Sequence, residues 1–322
     1  MHEYMNIGPM AELMVTGSVA ATHAGSSAVF EETLLDQYTD EQILEFIEGS
    51  PYMITTREER ILTLSPNVVV KPFTSLAAFS DEIAALDCAK KAGIRVPNVR
   101  RAVQRARPEN SFLLLGRVHG FTLEQLWAQL GWWTTFRIAW QLPRSFLRTM
   151  MLMTSQKMGG LQTGVTHSKY FQGSFLPIPH MSTSAFAAHI NWWITDCALR
   201  WRMKPRPDLT IEPPDQFVFV HQDLAPRNMI LDNSGELWIV DWGNAGFYPR
   251  YMEYMGIELT SHTMPWAFRR TWSARLARLR WSFFRWIAYG GLGKYEKHSE
   301  ALQIVRGISM RHPREQAPFS AL

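Results

Sequence analysis

One stretch of the sequence decides the fold: residues 217–232 run FVFVHQDLAPRNMILD. The stretch begins with four β-favouring apolar residues, passes through a polar loop and returns to apolar residues. Within the loop, His221, Asp223 and Asn228 follow the spacing HxDxxxxN. A loop that follows a strand can point a carboxylate into a cleft, so the pattern predicts a functional site at this strand end.

A second acidic position follows farther along the chain. Residues 237–240 form another short apolar run, and the sequence Asp241-Trp242-Gly243 comes directly after it. Asn233-Ser234-Gly235 supplies a turn before this run. Kinases place an HxDxxxxN catalytic loop and a metal-binding Asp-Phe-Gly in this same order. The two halves together predict phosphoryl transfer.

The chemistry of phosphoryl transfer explains these residue types. A carboxylate must accept or orient the proton of the attacking hydroxyl, and Asp223 can do so. Mg²⁺ prefers hard oxygen ligands, which Asn228 and Asp241 can supply together with the phosphates of ATP or GTP. We expect His221 to support the loop by hydrogen bonding, and Arg227 completes the candidate catalytic set. Taken alone, Asp223 could be an ordinary loop acid, Asn228 a turn residue and Asp241 a cap at a strand end. Their joint spacing favours the catalytic interpretation.

Two charged residues farther upstream complete the predicted site. Lys71 ends the apolar run 68–70, and Glu82 opens the next predicted helix. In kinases such a pair joins a strand lysine, which holds the phosphates, to a helix glutamate. The alternative is a solvated lysine and a glutamate favoured by the helix dipole. If the catalytic interpretation is right, Lys71 should face Asp241 across 170 positions of sequence and should lie within reach of Glu82, and Asn228 should approach Asp241.

The order of the elements predicts an α+β fold with two lobes. We expect a poorly ordered lead-in over residues 1–38, a small antiparallel-sheet N-lobe over 39–119 and a larger, mainly helical C-lobe over 120–322. Periodicity and caps predict the following elements. Helices are predicted over 40–47, 80–91, from 122 onward, over 184–202 and over 266–289, and strands over 61–64, 68–70, 96–103, 112–115, 217–220 and 237–240.

Composition limits the class of protein. The 322 residues are 46% apolar and 19% charged, which is typical of a globular chain. Two cysteines, Cys88 and Cys197, lie far apart without metal-site spacing, which indicates a reducing, cytoplasmic compartment. The first thirty residues lack a basic start, and no apolar run reaches the length of a membrane-spanning helix. The net charge of +4 is spread along the chain and does not indicate a nucleic-acid partner.

Three stretches carry a family resemblance: residues 65–71, 220–231 and 241–249, with the sequences SPNVVVK, VHQDLAPRNMIL and DWGNAGFYP. The chain resembles the aminoglycoside phosphotransferase and choline kinase superfamily, which has a protein-kinase-like fold, and especially its fungal branch. The resemblance spans about residues 52–254. It implies a small-molecule kinase in which a hinge, here Gly116, Arg117 and Val118, contacts the base of the nucleotide.

The sequence departs from this family at three places. Leu115-Gly116-Arg117 replaces the usual Met-Glu-Tyr of the hinge, no glycine lies between Pro51 and Lys71 to cover the phosphates, and Gln222 replaces a glycine. We expected substrate shape to account for Gln222. The departures leave open a rival class, a catalytically silent kinase-fold protein that acts as a binding or regulatory module.

The predicted C-lobe limits the acceptor. Residues 121–220 carry nine Lys and Arg against five Asp and Glu, so polycationic aminoglycosides are poor candidates. The region is rich in aromatic residues that could line a pocket for a flat or hydrophobic metabolite, although helix core is the more common use; they include Trp127, Trp132, Trp133, Trp140, Trp192 and Trp193.

The helix predicted over residues 266–289 has a stripe of apolar side chains flanked by arginines. The stripe consists of Trp272, Leu276, Leu279, Phe283 and Trp286. A basic amphipathic helix can contact a membrane surface. The alternative, a surface helix that closes the C-lobe, is the more common arrangement.

Overall fold

The computed structural model describes residues 29–50, 53–55, 60–104, 111–168, 170–171, 178–260, 270–289 and 295–312. These residues form two lobes, a sheet with two helices and a larger, mostly helical part. The predicted α+β class and two-lobed architecture are therefore confirmed.

The N-lobe contains a five-stranded antiparallel sheet with strand order β1-β2-β3-β5-β4. Its elements are α1 (Asp40–Gly49), β1 (Met53–Thr55), β2 (Arg60–Ser65), β3 (Val68–Phe73), α2 (Leu76–Lys91), β4 (Val99–Gln104) and β5 (Ser111–Gly116). Lys71 lies on β3, the central strand, and Glu82 lies on α2, which packs against β3 and β5. The sheet therefore fixes the position of both charges.

Local sequence explains these boundaries. The Ser65 hydroxyl accepts hydrogen bonds from the N–H groups of Asn67 and Val68, which closes the predicted β2–β3 hairpin. Thr39 and Gln42 form a capping box at the start of α1. Helix α2 begins at Leu76 and not at residue 80 as predicted, because the Ser75 side chain caps it.

Ten residues that we assigned to the lead-in, 29–38, pack on this sheet instead. Leu35 is buried with apolar side chains of α1, β2 and β3. The Arg101 guanidinium donates hydrogen bonds to the carbonyl oxygens of Leu35 and Tyr38. These bonds tie the segment to β4. The remainder of the predicted lead-in, residues 1–28, lies outside the described residues.

The C-lobe contains two small sheets and eight helices within its described residues. Its strands are β6 (Gly120–Thr122), β7 (Thr154–Ser155), β8 (Phe217–Val220), β9 (Met229–Asp232), β10 (Leu237–Ile239) and β11 (Gly246–Tyr248). Its helices are α3 (Leu123–Leu126), α4 (Trp132–Leu142), α5 (Arg148–Leu152), α6 (Thr183–Trp192), α7 (Ala198–Arg200), α8 (Tyr251–Thr260), α9 (Trp272–Tyr289) and α10 (Glu296–Arg311). The sheet orders are β10-β9-β6 and β11-β8-β7.

The catalytic loop lies between these two sheets. The runs 217–220 and 237–240 form strands as predicted, but β8 and β10 belong to different sheets, and β10 pairs with β9. The Asp232 carboxylate accepts hydrogen bonds from the N–H groups of Ser234 and Glu236 and so builds the β9–β10 turn. The loop therefore crosses from one sheet to the other, and Asp241 follows the end of the second.

Two long helical predictions are interrupted or shortened. The helix predicted over 184–202 is α6, a π-helical turn over Trp193–Cys197, and α7. Of the helix predicted over 266–289, the described part is α9 from Trp272, where the Thr271 hydroxyl accepts a hydrogen bond from the Ala274 N–H. Residues 266–269 lie outside the described residues.

The two lobes share one apolar core. Phe79 of α2 and Leu113 of β5 belong to the same buried cluster as Phe219 of β8 and Trp242, which follows Asp241. The catalytic loop and the Lys71–Glu82 side of the sheet are therefore held by continuous packing.

Candidate active site

His221 anchors the start of the catalytic loop after the buried strand β8. Its backbone N–H donates to the Glu253 carboxylate, its Nδ1 accepts from the Asp223 N–H at 3.2 Å, and its Nε2 lies 3.1 Å from the Val240 carbonyl oxygen. Burial lowers the pKa of His221 more than the nearby carboxylates of Asp223 and Asp241 raise it. A neutral ring with its proton on Nε2 satisfies both contacts, so the bonds of His221 are those of a loop support.

Asp223 is buried, and its carboxylate is held from two sides. One Arg227 nitrogen donates to both carboxylate oxygens, at 3.0 and 2.7 Å. The Asn228 amide nitrogen donates to Asp223 Oδ2 at 2.9 Å and to the Asp223 carbonyl at the same distance. These bonds fix the carboxylate and direct the Asn228 amide nitrogen toward it, which turns the amide oxygen away.

Gln222 adopts a left-handed backbone conformation with φ of 63°. Such a conformation favours glycine, which explains the glycine that the resembling family has at this position. The Gln222 amide donates to the carbonyl oxygens of His167 and Asn244, at 3.0 and 2.6 Å. A Cβ at Gly256 would collide with the Gln222 carbonyl, so α8 packs directly on this backbone. Gln222 thus joins two loops, and its expected relation to substrate shape stays a prediction.

Lys71 lies between two carboxylates from different lobes. Its Nζ lies 2.7 Å from Asp241 Oδ1, and 3.1 and 2.9 Å from the two oxygens of Glu82. Lys71 and Glu82 are buried, and Asp241 is half-buried. Asp241 also has a positive φ of 65°, which sets its side chain at the end of the strand. The predicted approach of Lys71 to Asp241 and to Glu82 is confirmed.

The cluster has donors that suit a magnesium ion bound together with phosphates. One ammonium and two carboxylates leave a net negative charge, and Asp241 and Asn228 offer hard oxygen atoms. The Val240 N–H donates to the Asn228 carbonyl at 3.0 Å, so Asn228 lies beside the strand end that carries Asp241. Within the described parts of the chain, no three His, Cys, Asp or Glu side chains cluster as a metal site of their own.

The predicted hinge has fewer free backbone donors than expected. The Gly116 N–H donates to the Asn98 carbonyl at 2.8 Å, and the Arg117 N–H donates to the Asn67 carbonyl at 2.7 Å. A shallow depression beside these residues is also lined by Val118. Lys71 and Asp241 are not among its lining residues, so the depression is separate from the charged cluster.

Sequence reasoning missed Glu253, a fully buried acid in the first turn of α8. Its carboxylate accepts the N–H groups of His221 and Gln222. Burial raises the pKa of Glu253 to about 7, although the two N–H donors oppose this change. A lone acid within the apolar run YMEYMGI was the available signal.

We expect Glu253 to make stability depend on pH. Because its pKa is raised in the folded protein, its stabilisation is full below pH 4.5 and is lost as pH rises through about 7. The isosteric Glu253→Gln variant lacks this titration. The free energy of unfolding of the wild type, relative to the variant, should fall on the order of 3 kcal/mol between about pH 5 and pH 8 in urea titrations. Parallel pH profiles of the two proteins would contradict the assignment.

Asp81, the residue before Glu82, was also missed. It is buried and accepts hydrogen bonds from the N–H groups of Gln162 and Thr163, at 2.7 and 2.9 Å, and from the His167 ring at 2.9 Å. Burial alone would raise the pKa of Asp81, but the bonds from His167 and Thr163 outweigh burial and lower it. Since the His167 carbonyl also accepts from Gln222, Asp81 connects α2 to the catalytic loop.

Removal of this connection should be costly. Asp81→Ala leaves several buried donors unpaired, and we expect the free energy of unfolding to fall by about 3–5 kcal/mol. Asp87→Ala, on the exposed side of the same helix, removes only a surface pair with Lys91 and should cost less than about 1 kcal/mol. Urea unfolding at neutral pH measures both values. Equal values for the two variants would show that Asp81 does not hold the lobes together.

One comparison with known sequences covers the segment that contains the HxDxxxxN loop. Residues 181–291, which contain the catalytic loop and Asp241, match the sequence model of the phosphotransferase enzyme family. No curated protein sequence matches the chain.

Several solved structures of aminoglycoside phosphotransferases are similar to this chain. APH(3'')-Id from Streptomyces rimosus has 15% identity, with a TM-score of 0.48 over 84% of this chain and 97% of that chain. A thermostable mutant of APH(4)-Ia with ADP and hygromycin B has 15% identity, with a TM-score of 0.46 over 84% of this chain and 97% of that chain. The GDP complex of aminoglycoside 2'-phosphotransferase-IIIa has 15% identity, with a TM-score of 0.41 over 81% of this chain and 92% of that chain.

The matched segment contains Asp223 and Asp241, and Asp241 pairs with Lys71 of the N-lobe. The match to the phosphotransferase enzyme family is limited to residues 181–291, which lie in the C-lobe of this two-lobed α+β fold.

Proposed function

We propose that the protein transfers the γ-phosphate of ATP or GTP to a hydroxyl group of a small-molecule metabolite. The observation that carries this proposal is the convergence of Lys71, Glu82 and Asp241 beside the catalytic loop. A buried lysine between two acids suits a site whose natural occupant carries phosphates and a divalent cation. Such an occupant would offer Lys71 an anionic partner in place of Asp241.

Each residue has a proposed role. Lys71 holds the nucleotide phosphates, and Glu82 orients Lys71 through its paired oxygens. Asp241 and the Asn228 amide oxygen hold Mg²⁺, which when bound neutralises the phosphate charge that develops during transfer. In the hinge, the Val118 N–H is the backbone donor that we assign to the base, since those of Gly116 and Arg117 are engaged.

Asp223 is the proposed base that accepts or orients the proton of the acceptor hydroxyl. The Arg227 and Asn228 bonds keep its carboxylate in one position, which lowers the entropy cost of aligning a hydroxyl. His221 positions the loop through its hydrogen bonds to Glu253, Asp223 and Val240. The basic excess of residues 121–220 favours a neutral or anionic acceptor over a polycation.

The rival proposal is a kinase-fold binding protein without turnover. The engaged N–H groups of Gly116 and Arg117 favour it, because they reduce the donors available to a nucleotide base. The chain has only two cysteines, Cys88 and Cys197, and this sparse use supports the proposal of a cytoplasmic location in either case.

Asp223→Asn should separate the two proposals. The substitution keeps the side-chain shape but removes the base, so the rate should fall about 10²–10⁴-fold while nucleotide affinity stays unchanged. The measurement is Mg²⁺-dependent phosphate transfer from labelled ATP or GTP to a metabolite library, with binding followed by calorimetry. Asp87→Asn, at the surface, is the matched control. Wild-type binding of Mg²⁺-nucleotide without transfer to any hydroxyl compound would favour the rival, and an unchanged rate in Asp223→Asn would refute the assigned base.

A further inference from the structure

Helix α9 has two apolar faces, and only one of them is buried. The face that packs on the C-lobe consists of Ala274, Ala277, Trp281, Phe284 and Ala288. The opposite face is the stripe identified in the sequence: Trp272, Leu276, Leu279, Phe283 and Trp286. Trp272 and Trp286 expose 78% and 73% of their surface. The helix therefore closes the lobe with one face and presents the predicted stripe to solvent.

Helix α4 packs against α9 and adds a second exposed stripe. The rings of Trp133, Phe136 and Trp140 stack in a row, with centroids 6.0 and 5.9 Å apart. Trp133 exposes 76% of its surface. The ring centroids of Trp132 and Phe283 of α9 lie 5.6 Å apart, and this contact joins the two stripes. We call these four α4 residues and the five α9 residues together the aromatic face.

Two arginines, Arg144 and Arg275, border the aromatic face, and the segments that form the face contain no acid. Residues 132–152 and 272–289 contain seven arginines and no Asp or Glu. The Arg144 guanidinium lies 3.4 Å from the Trp140 ring centroid, and Arg275 lies 5.0 Å from that of Trp272. Arg280 points inward instead and donates to the Trp127 carbonyl. Arg137 donates to the Gly235 carbonyl, Arg285 lies over the Tyr254 ring, and the remaining arginines of these segments are Arg148 and Arg278.

We propose that the aromatic face binds the surface of a membrane that contains anionic lipids. Large apolar patches are uncommon on monomeric soluble proteins, and tryptophan prefers the boundary between lipid tails and headgroups. Arginine complements anionic headgroups, and its stem can lie along apolar surface while its charge stays in water. The charge of the face is what selects an anionic lipid surface over an apolar protein partner.

The proposed contact is peripheral. Among the described residues, no helix has both the length and the apolarity that crossing a bilayer requires. The buried side of α9, with Trp281 and Phe284 in the core, also keeps the helix in the protein. The aromatic face would therefore lie flat in the headgroup region while the fold remains intact. This inference stands independently of the proposed phosphoryl transfer.

Vesicle flotation of the full-length protein tests the proposal. The protein should float with vesicles of phosphatidylcholine mixed with phosphatidylserine and should remain behind with phosphatidylcholine alone. The Trp133→Ser/Trp286→Ser variant should lose at least about tenfold in affinity, since two large apolar side chains leave the interface. Trp201→Ser, an exposed tryptophan that stacks on His312 away from this face, is the matched control and should bind as wild type.

Charge is tested separately with Arg144→Gln/Arg275→Gln, which should reduce binding to the anionic vesicles and weaken its dependence on salt. Thermal unfolding of every variant checks the fold. Absence of vesicle binding, equal binding to both vesicle compositions, or full binding by the tryptophan variant would overturn the proposal. Sedimentation velocity gives the competing outcome: a dimer that is lost in the tryptophan variant, without vesicle binding, would assign the face to a second copy of the chain.

Discussion

The relative position of the two lobes depends on the ion pairs of one buried ammonium group, that of Lys71. Removing Lys71 from water is costly unless carboxylates replace the lost hydration, and those carboxylates come from α2 and from the end of β10. A strand of the N-lobe, a helix of the N-lobe and a strand end of the C-lobe must therefore meet at one atom. Glu82 and Asp241 could not satisfy Lys71 together if either lobe were turned away.

Asp81, the residue next to Glu82, adds a second constraint on the orientation of α2. Asp81 and Glu82 are adjacent on α2, yet Asp81 binds the loop that contains His167, whereas Glu82 binds Lys71. Rotation of α2 would break both sets of bonds at once. Because the His167 carbonyl also accepts from Gln222, the orientation of the helix is coupled to the backbone of the catalytic loop. The proposed phosphate site and the proposed base are thus parts of one hydrogen-bonded structure.

Residues whose spacing is set by the chemistry of a site could be predicted from the sequence. Residues whose role depends on being buried could not. The HxDxxxxN loop and the later Asp241 led to the prediction that Lys71 meets Glu82 and Asp241, and these two contacts are confirmed. Asp81 looks like a surface acid of a helix and Glu253 is a lone acid in an apolar run, and only the packing of distant segments shows that both are buried. Periodicity located the stripe on α9, but small alanines on the other face left open which side packs inward. The role of Gln222 could not be predicted either, because it depends on a positive φ angle that the sequence does not show.

The most direct test is a crystal structure of the full-length protein with Mn²⁺ and a non-hydrolysable ATP analogue, in which anomalous scattering locates the metal. The account predicts a metal at about 2.2 Å from oxygens of Asp241 and Asn228, with the nucleotide phosphates in contact with Lys71. A nucleotide bound elsewhere, with Lys71 still paired to Asp241 and no metal beside it, would contradict the central claim that this charged cluster is a phosphate site.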